Sequence, residues 1–263
     1  MFTICLCVFL FSSIELFNIY KEYKQGTDIY QEASTNVSLD EDGNLDPNNV
    51  ISNEEIEDNP QYEIKEVVSL DVDWNKFNDK VIGWISMKNN DVVNYPIIQS
   101  YDNEYYLHHL YDGTYNSAGS IFVDYRNDGF ENKHTIIYGH NMKNGSMFSS
   151  IKKYQNQEYA DEHRYIYIAT PDGITRTFYI YSCHITDALG EKNGFNAYTI
   201  TFNGDEWDNW IKETQNKSLI KSDIEIPTNC NIITLSTCMS RGVETERCVI
   251  HAVEISNKQL IKK

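Results

Sequence analysis

The chain has 263 residues, enough for one sizeable domain with extensions. Its 22 basic and 39 acidic residues give a formal net charge of −17. With no basic stripe along it, a nucleic-acid-binding role is excluded.

Phe2 to Ile14 is a continuous run of apolar and small residues, and Leu16-Phe17-Asn18-Ile19-Tyr20 extends it. The run reaches about 19 residues, or roughly 28 Å as a helix, enough for a marginal membrane span. No small-x-small cleavage site follows, so residues 1–20 read as a signal anchor and not as a cleaved leader. The usual basic segment before the run is missing, and Lys21 and Lys24 lie beyond it, against the positive-inside bias for an outward-facing domain.

Residues 25–64 carry eleven acidic side chains and no basic ones. The stretch 21–65 therefore reads as a flexible acidic spacer, one that like-charge repulsion would hold off an anionic membrane. Within it, Asp40-Glu41-Asp42-Gly43-Asn44-Leu45-Asp46 has a glycine too early for a calcium loop and no closing glutamate, so it reads as a solvated acidic stretch.

From residue 66 the composition changes, and 66–263 reads as the folded domain. Val67–Leu70 and Trp74–Phe77 predict a short helix leading into the core. Val81 to Gln99 predicts two strands around a Lys88-Asn89-Asn90-Asp91 turn. The aromatic stretch Tyr101–Tyr111 predicts a turn with a short helix. Thr135-Ile136-Ile137-Tyr138-Gly139 is a short apolar strand with His140 at its end, and Gly139 permits a sharp exit and a close approach by another backbone. Tyr165–Thr170 and Arg176–His184 predict a hairpin about Pro171-Asp172-Gly173. Trp207, Trp210, Ile211 and Thr214 stand at helical spacing, so 205–216 reads as an amphipathic helix.

Asn231–Thr237 is rich in β-branched residues and predicts a buried strand with Cys238 at its end. A second apolar run starts at Arg247. If the two pair antiparallel, loop 239–246 closes the hairpin, and Cys238 and Arg247 lie on opposite stems of one mouth. A thiol beside a guanidinium points to nucleophilic attack on a carbonyl, with a cation ready for the oxyanion. A thiol needs a base, and His140 is the best candidate. Each residue also has a plainer reading: a small buried hydrophobe for Cys238, a strand cap for His140, a rim ion pair for Arg247. Ser236 reads as structural, with its hydroxyl as a candidate lining of a substrate groove. Asp124 and Arg126 read as a pair or turn cap. His108-His109 and Cys183-His184 lack a second ligand pair at zinc spacing, so neither a metal nor a cofactor is expected. Cys248, next to Arg247, faces the other side of the strand and reads as core. The six cysteines show no paired spacing that demands a disulfide.

Four motifs in one order resemble class B sortases: Gly83-Trp84-Ile85 with Tyr95-Pro96-Ile97-Ile98-Gln99, Gly119–Asn127, Tyr138-Gly139-His140-Asn141-Met142 continuing to Phe148, and Thr234–Cys238. The resemblance covers about residues 66–257. It implies a mainly β fold, a closed β-barrel with N-terminal helices and an inserted helix before the cysteine strand. It implies a membrane-anchored thiol transpeptidase on the wall side of the cell. Such an enzyme cleaves a C-terminal sorting signal of secreted surface proteins and joins the new carboxyl end to a peptidoglycan amine. By motif, His140, Cys238 and Arg247 would be catalytic. The step from Cys238 to Arg247 is one residue shorter than family members often have, and Arg241 is the rival guanidinium. Two other classes fit the residues: a cysteine peptidase that only hydrolyses, and a non-catalytic wall-binding barrel.

Overall fold

The structure is a computed structural model that describes residues 2–41, 45, 47, 62–240, 243–256 and 258–262. Its centre is a closed barrel of eight strands: β4 (Val81–Met87), β5 (Asn90–Gln99), β6 (Ile121–Val123), β7 (His134–Tyr138), β8 (Tyr165–Ala169), β9 (Thr175–Asp187), β12 (Ile232–Ser240) and β13 (Val243–Ile255). Around the barrel the order is β12-β13-β9-β8-β4-β5-β6-β7, closed by β7 running parallel to β12. The fold is mainly β, as the sequence predicts.

Alternation along the strands explains why the apolar runs are so continuous. Ile233, Leu235 and Ile250 join the largest apolar cluster, while Ile232, Val249 and Val253 pack outward under a helix. That helix, α3 (Glu206–Asn216), buries Trp207, Trp210, Ile211 and Thr214. These are the four positions its spacing predicts, and burial of each large apolar side chain contributes roughly 2–3 kcal/mol. A small hairpin, β10 (Glu191–Lys192) with β11 (Phe195–Asn196), lies between β9 and α3 in the chain. Two further elements follow β7: a 3-10 stretch, Phe148–Gln155, which packs Phe148, Ile151 and Tyr154 into the main cluster, and the single-turn helix α2 (Gln157–Glu162).

The β4–β5 turn falls at Lys88-Asn89, with Asn89 at φ +59°. Asparagine tolerates the left-handed region better than most residues. The hairpin β8–β9 turns at 170–174, as Pro171-Asp172-Gly173 predicts. Tyr101–Tyr111 contributes one 3-10 turn, Tyr105–Leu107.

The N-terminal region departs from expectation. α1 runs unbroken from Phe2 to Ser34. Its first half is exposed and apolar, with Phe9 at 67% and Phe17 at 64%. The stretch from 21, read in sequence as a spacer, is helix to Ser34, and its second half docks on the barrel. Gly26, Tyr30 and Ala33 are buried. The Tyr30 hydroxyl donates to the Gly119 carbonyl at 2.6 Å, and its ring meets Tyr95 edge-on at 5.1 Å. Glu22 accepts from the Ser117 N–H at 2.6 Å. Tyr23, Gly26, Ile29, Tyr30 and Ala33 form one helical face, which the density of acidic residues masks in the sequence. Beyond it, β1 (Val37–Glu41) pairs with β3 (Val68–Val72), and β2 (Tyr62–Glu66) pairs with β14 (Lys258–Lys262). The helix predicted over Val67–Phe77 is therefore a strand followed by one 3-10 turn, Trp74–Lys76. Alternation explains the strand, since Val68 and Leu70 are buried with Trp84 while Asp71 is exposed. Most of the calcium-like stretch lies outside the described residues.

Candidate active site

The barrel brings the three predicted residues to one end, on three neighbouring strands. β7 and β12 pair in parallel from Ile232↔His134 to Ser236↔Tyr138. Carrying that register two residues on sets Cys238 level with His140. Three hydrogen bonds continue the pairing past the strand end. Gly139 N–H donates to Ser236 O at 3.2 Å, the Thr237 hydroxyl donates to Gly139 O at 2.8 Å, and the Asn141 amide donates to Cys238 O at 2.9 Å. On the other side of Cys238, β12 and β13 pair antiparallel with Cys238↔Arg247 in register. Neighbouring strands lie about 4.8 Å apart, so His140, Cys238 and Arg247 form one row across the sheet. Even-numbered β12 residues face outward: Ile232 packs under α3, and the Ser236 hydroxyl meets Tyr198. Cys238 continues that face beyond the cover. β12 and β13 reach to Ser240 and from Val243, further into the expected loop than predicted, and Arg241 lies outside the described residues.

Gly139 fits its predicted use. A Cβ there would stand 2.5 Å from Ile121 Cδ1 and 2.6 Å from the Phe148 ring. Only glycine lets the chain leave β7 this close to the core.

Cys238, His140 and Arg247 are all half-buried, neither packed away nor fully solvated. The other cysteines of the barrel are buried. Cys183 and Cys248 face the interior with sulfurs 3.8 Å apart as free thiols. The neighbouring Cys248 thiol, together with burial, holds Cys183 far above the usual thiol range. Burial likewise pushes Cys230 up to about 11. Thiolate chemistry is suppressed at both. Cys183 and His184, adjacent in sequence, point to opposite faces of β9.

His140 Nε2 lies 2.8 Å from the Leu107 carbonyl oxygen. A carbonyl only accepts, so Nε2 carries a proton and Nδ1 is the basic nitrogen of the neutral ring.

Behind the row, a polar frame fixes the strands. Asp124 accepts from Arg126 Nε at 2.9 Å and Nη2 at 2.8 Å, and from the Tyr138 hydroxyl at 2.8 Å. Burial alone would raise the Asp124 pKa, but these hydrogen bonds and the Arg126 charge lower it below its ordinary 3.8. The pair predicted for Asp124 and Arg126 is thus present. Ser236 is 1% exposed, and its hydroxyl lies 2.6 Å from that of Tyr198. Burial pushes the Tyr198 pKa up to about 12, so the phenol is neutral.

Sequence reasoning missed three parts of this frame. Asn141 stands directly after His140, and a polar side chain at a strand exit is a signal that could have marked it. Tyr198 lies in a stretch with no periodicity to expose it. The third is a buried relay. His134 Nδ1 donates to Thr199 O at 2.6 Å, Thr234 Oγ1 donates to His134 Nε2 at 2.6 Å, and His251 Nδ1 donates to Thr234 Oγ1 at 2.7 Å. The directions follow from the carbonyl, which fixes the first proton. The relay ties the cover segment around Thr199 to β7, β12 and β13.

The sortase domain family matches residues 88–255 of the chain. Sortase B of Listeria monocytogenes is 32% identical over 253 residues, covering 94% of this chain and 92% of that protein. The crystal structure of sortase B from B. anthracis in complex with AAEK1 superposes with a TM-score of 0.67 at 30% identity, covering 90% of this chain and 100% of that one. The Staphylococcus aureus sortase B–substrate complex gives a TM-score of 0.61 at 29% identity, covering 72% of this chain and 82% of that one. The chain therefore belongs to the sortase family, with class B as its branch and cysteine transpeptidation as its chemistry.

Proposed function

We propose that Cys238 is the nucleophile, His140 the general acid–base and Arg247 the oxyanion-binding cation of a sorting-signal transpeptidase. The observation that carries this reading is the row itself: Cys238 is in register with Arg247 on one side and, by extension of the β7 pairing, with His140 on the other.

The cycle begins with the Cys238 thiolate attacking the scissile carbonyl of a sorting signal near the C-terminus of a secreted protein. An S–C bond forms, and the carbonyl electrons move to an oxyanion held by the Arg247 guanidinium and backbone N–H groups. As the oxyanion collapses, the C–N bond breaks, and His140 gives its Nδ1 proton to the departing amine. Its Nε2–H stays on Leu107 O throughout, so proton exchange is confined to Nδ1. An amine of peptidoglycan then attacks the thioacyl carbon, loses a proton to His140, and expels the Cys238 thiolate. Water in place of the amine gives slow hydrolysis. Ser236, a candidate groove lining in the sequence, is buried with its hydroxyl on Tyr198, so its role here is structural and not contact with substrate.

Residues 1–20 act as a single-pass anchor with the barrel, from 66 onward, on the wall side. The first half of α1 supports this, being apolar, exposed and long enough to cross a membrane. The docked second half sets the barrel close to the bilayer. The ten residues from Tyr20 to Tyr30 rise about 15 Å along a helix.

The test is a peptide-cleavage assay with an added amine. Ligated product is expected. His140→Ala should slow it by about 10²–10⁴, and Arg247→Gln by about 10²–10³. Cleavage that never yields ligated product would make the protein a peptidase, and an undiminished rate in Cys238→Ala would remove the proposed nucleophile.

A further inference from the structure

The row does not end at Arg247. Thr186 on β9 is its strand partner, and His184 stands two residues back on the same face. Thr186 is 0% and His184 3% exposed. Yet Thr186 Oγ1 and both ring nitrogens of His184 have no hydrogen-bond partner among the described residues. These atoms belong to residues lining a cleft of about 210 Å³, which Lys192 of β10, Asn193 of the turn after it and Lys217 after α3 also line. Among the described residues no carboxylate lines it.

The lining is rich in donors. It offers a hydroxyl, an imidazole, an amide and two ammonium groups. Lys192 is drawn 3.4 Å from Glu246, but that pair is exposed and weak. Lys217 lies 5.4 Å from the centre of the Phe195 ring. Burial first, then the charges of Lys217 and Lys192, lowers the His184 pKa to about 4, so its ring is neutral at physiological pH and presents one N–H. A buried polar group left unpaired is destabilising, and an acceptor-bearing ligand would recover that loss.

We propose that this cleft binds an oxyanion, a carboxylate or a phosphate, and holds an acidic group of the incoming acceptor during aminolysis. The second clause rests on the reading of Cys238 as the nucleophile. Two strand spacings separate Cys238 from Thr186, about 10 Å, which is the reach of about three extended residues. An amine attacking at Cys238 can therefore place an acidic group some three residues away over Thr186 and His184.

The test has two arms. In the first, full-length Cys238→Ala with ring-labelled histidine is titrated with inorganic phosphate and, separately, with acetate. The His184 ring signals, assigned through His184→Gln, should shift saturably in the millimolar range. The double variant Lys192→Gln/Lys217→Gln should bind at least tenfold more weakly while melting at the Cys238→Ala temperature. Saturation by acetate assigns a carboxylate ligand, and saturation by phosphate alone assigns a phosphate. A linear shift indifferent to the two lysines overturns the site. In the second arm, aminolysis by the wild type is compared for triglycine and triglycine amide, or for an amine with and without a phosphate if phosphate alone saturates. The acidic acceptor should have at least a fivefold lower KM, and the lysine variant should lose that preference while hydrolysis without acceptor is unchanged. Equal KM values overturn the acceptor role. Failure of the nucleophile assignment would show as turnover surviving Cys238→Ala, which the binding arm does not register.

Discussion

The side-chain amide of Asn141 donates to the carbonyl oxygen of Cys238 at 2.9 Å. This one bond ties the residue after the proposed base to the proposed nucleophile, across two strands that have already stopped pairing through their backbones. Asn141 is buried, so the bond is shielded from water.

Asn141→Ala removes that tie and leaves the Cys238 carbonyl with one partner fewer. A net hydrogen bond is worth about 1 kcal/mol, so stability should fall by about that amount in a denaturant titration. The kcat for aminolysis should fall about tenfold, because a misplaced base is felt in the proton-transfer step. Peptide KM should change little.

Tyr198→Phe and Ser236→Ala should cost similar amounts of stability. Each removes one hydroxyl of a buried pair and leaves the other without its partner, a penalty of about 1–3 kcal/mol. Both keep the ring at position 198 packed against Tyr138 at 5.7 Å. Thermal melts of the two variants and of the double variant separate these terms.

The buried histidines make a pH prediction. Burial lowers His134 and His184 to about 4 and His251 well below its ordinary 6.5. A depressed folded pKa means that the unfolded chain binds more protons between about 6.5 and 4. Stability should therefore be fully present above pH 6.5 and fall as the pH drops toward 4. A shift of that size corresponds to on the order of 3 kcal/mol per histidine at full linkage. His134→Gln should be less stable at pH 7.5 but show a flatter loss between pH 6.5 and 4, measured by urea titrations across that range.

The docking of α1 predicts protease protection. Tyr30→Ala removes a buried ring and its bond to Gly119 O, at a cost of about 3–5 kcal/mol for a large aromatic truncation. In limited trypsinolysis of detergent-solubilised protein, cleavage after Lys21 and Lys24 should be slow in the wild type and several-fold faster in Tyr30→Ala. Equal rates would mean that the helix does not rest on the barrel.

Most of the barrel was legible because both faces of its central strands are buried. Ile232–Leu235 and Val249–Val253 read as unbroken apolar runs for that reason, and α3 announced itself through two tryptophans one turn apart. His140, Cys238 and Arg247 were legible because each marks the end of such a run. What stayed hidden was held by sparse patterns. The docked face of α1 uses a glycine and an alanine between acidic residues, so no apolar stripe stands out. β3 has only two buried positions, too few to separate strand from helix. Asn141 and Tyr198 act through single polar atoms, which leave no period in a sequence. His134, His184 and His251 are scattered over three strands, and only the register of β7, β9 and β13 brings them together.

The most direct measurement is mass spectrometry of the purified chain incubated with a sorting-signal peptide library. A thioacyl adduct on Cys238, with the mass of the N-terminal cleavage product and absent in Cys238→Ala, is the predicted result. Peptide cleavage with no adduct on Cys238, or with the acyl group on another cysteine, would contradict the account.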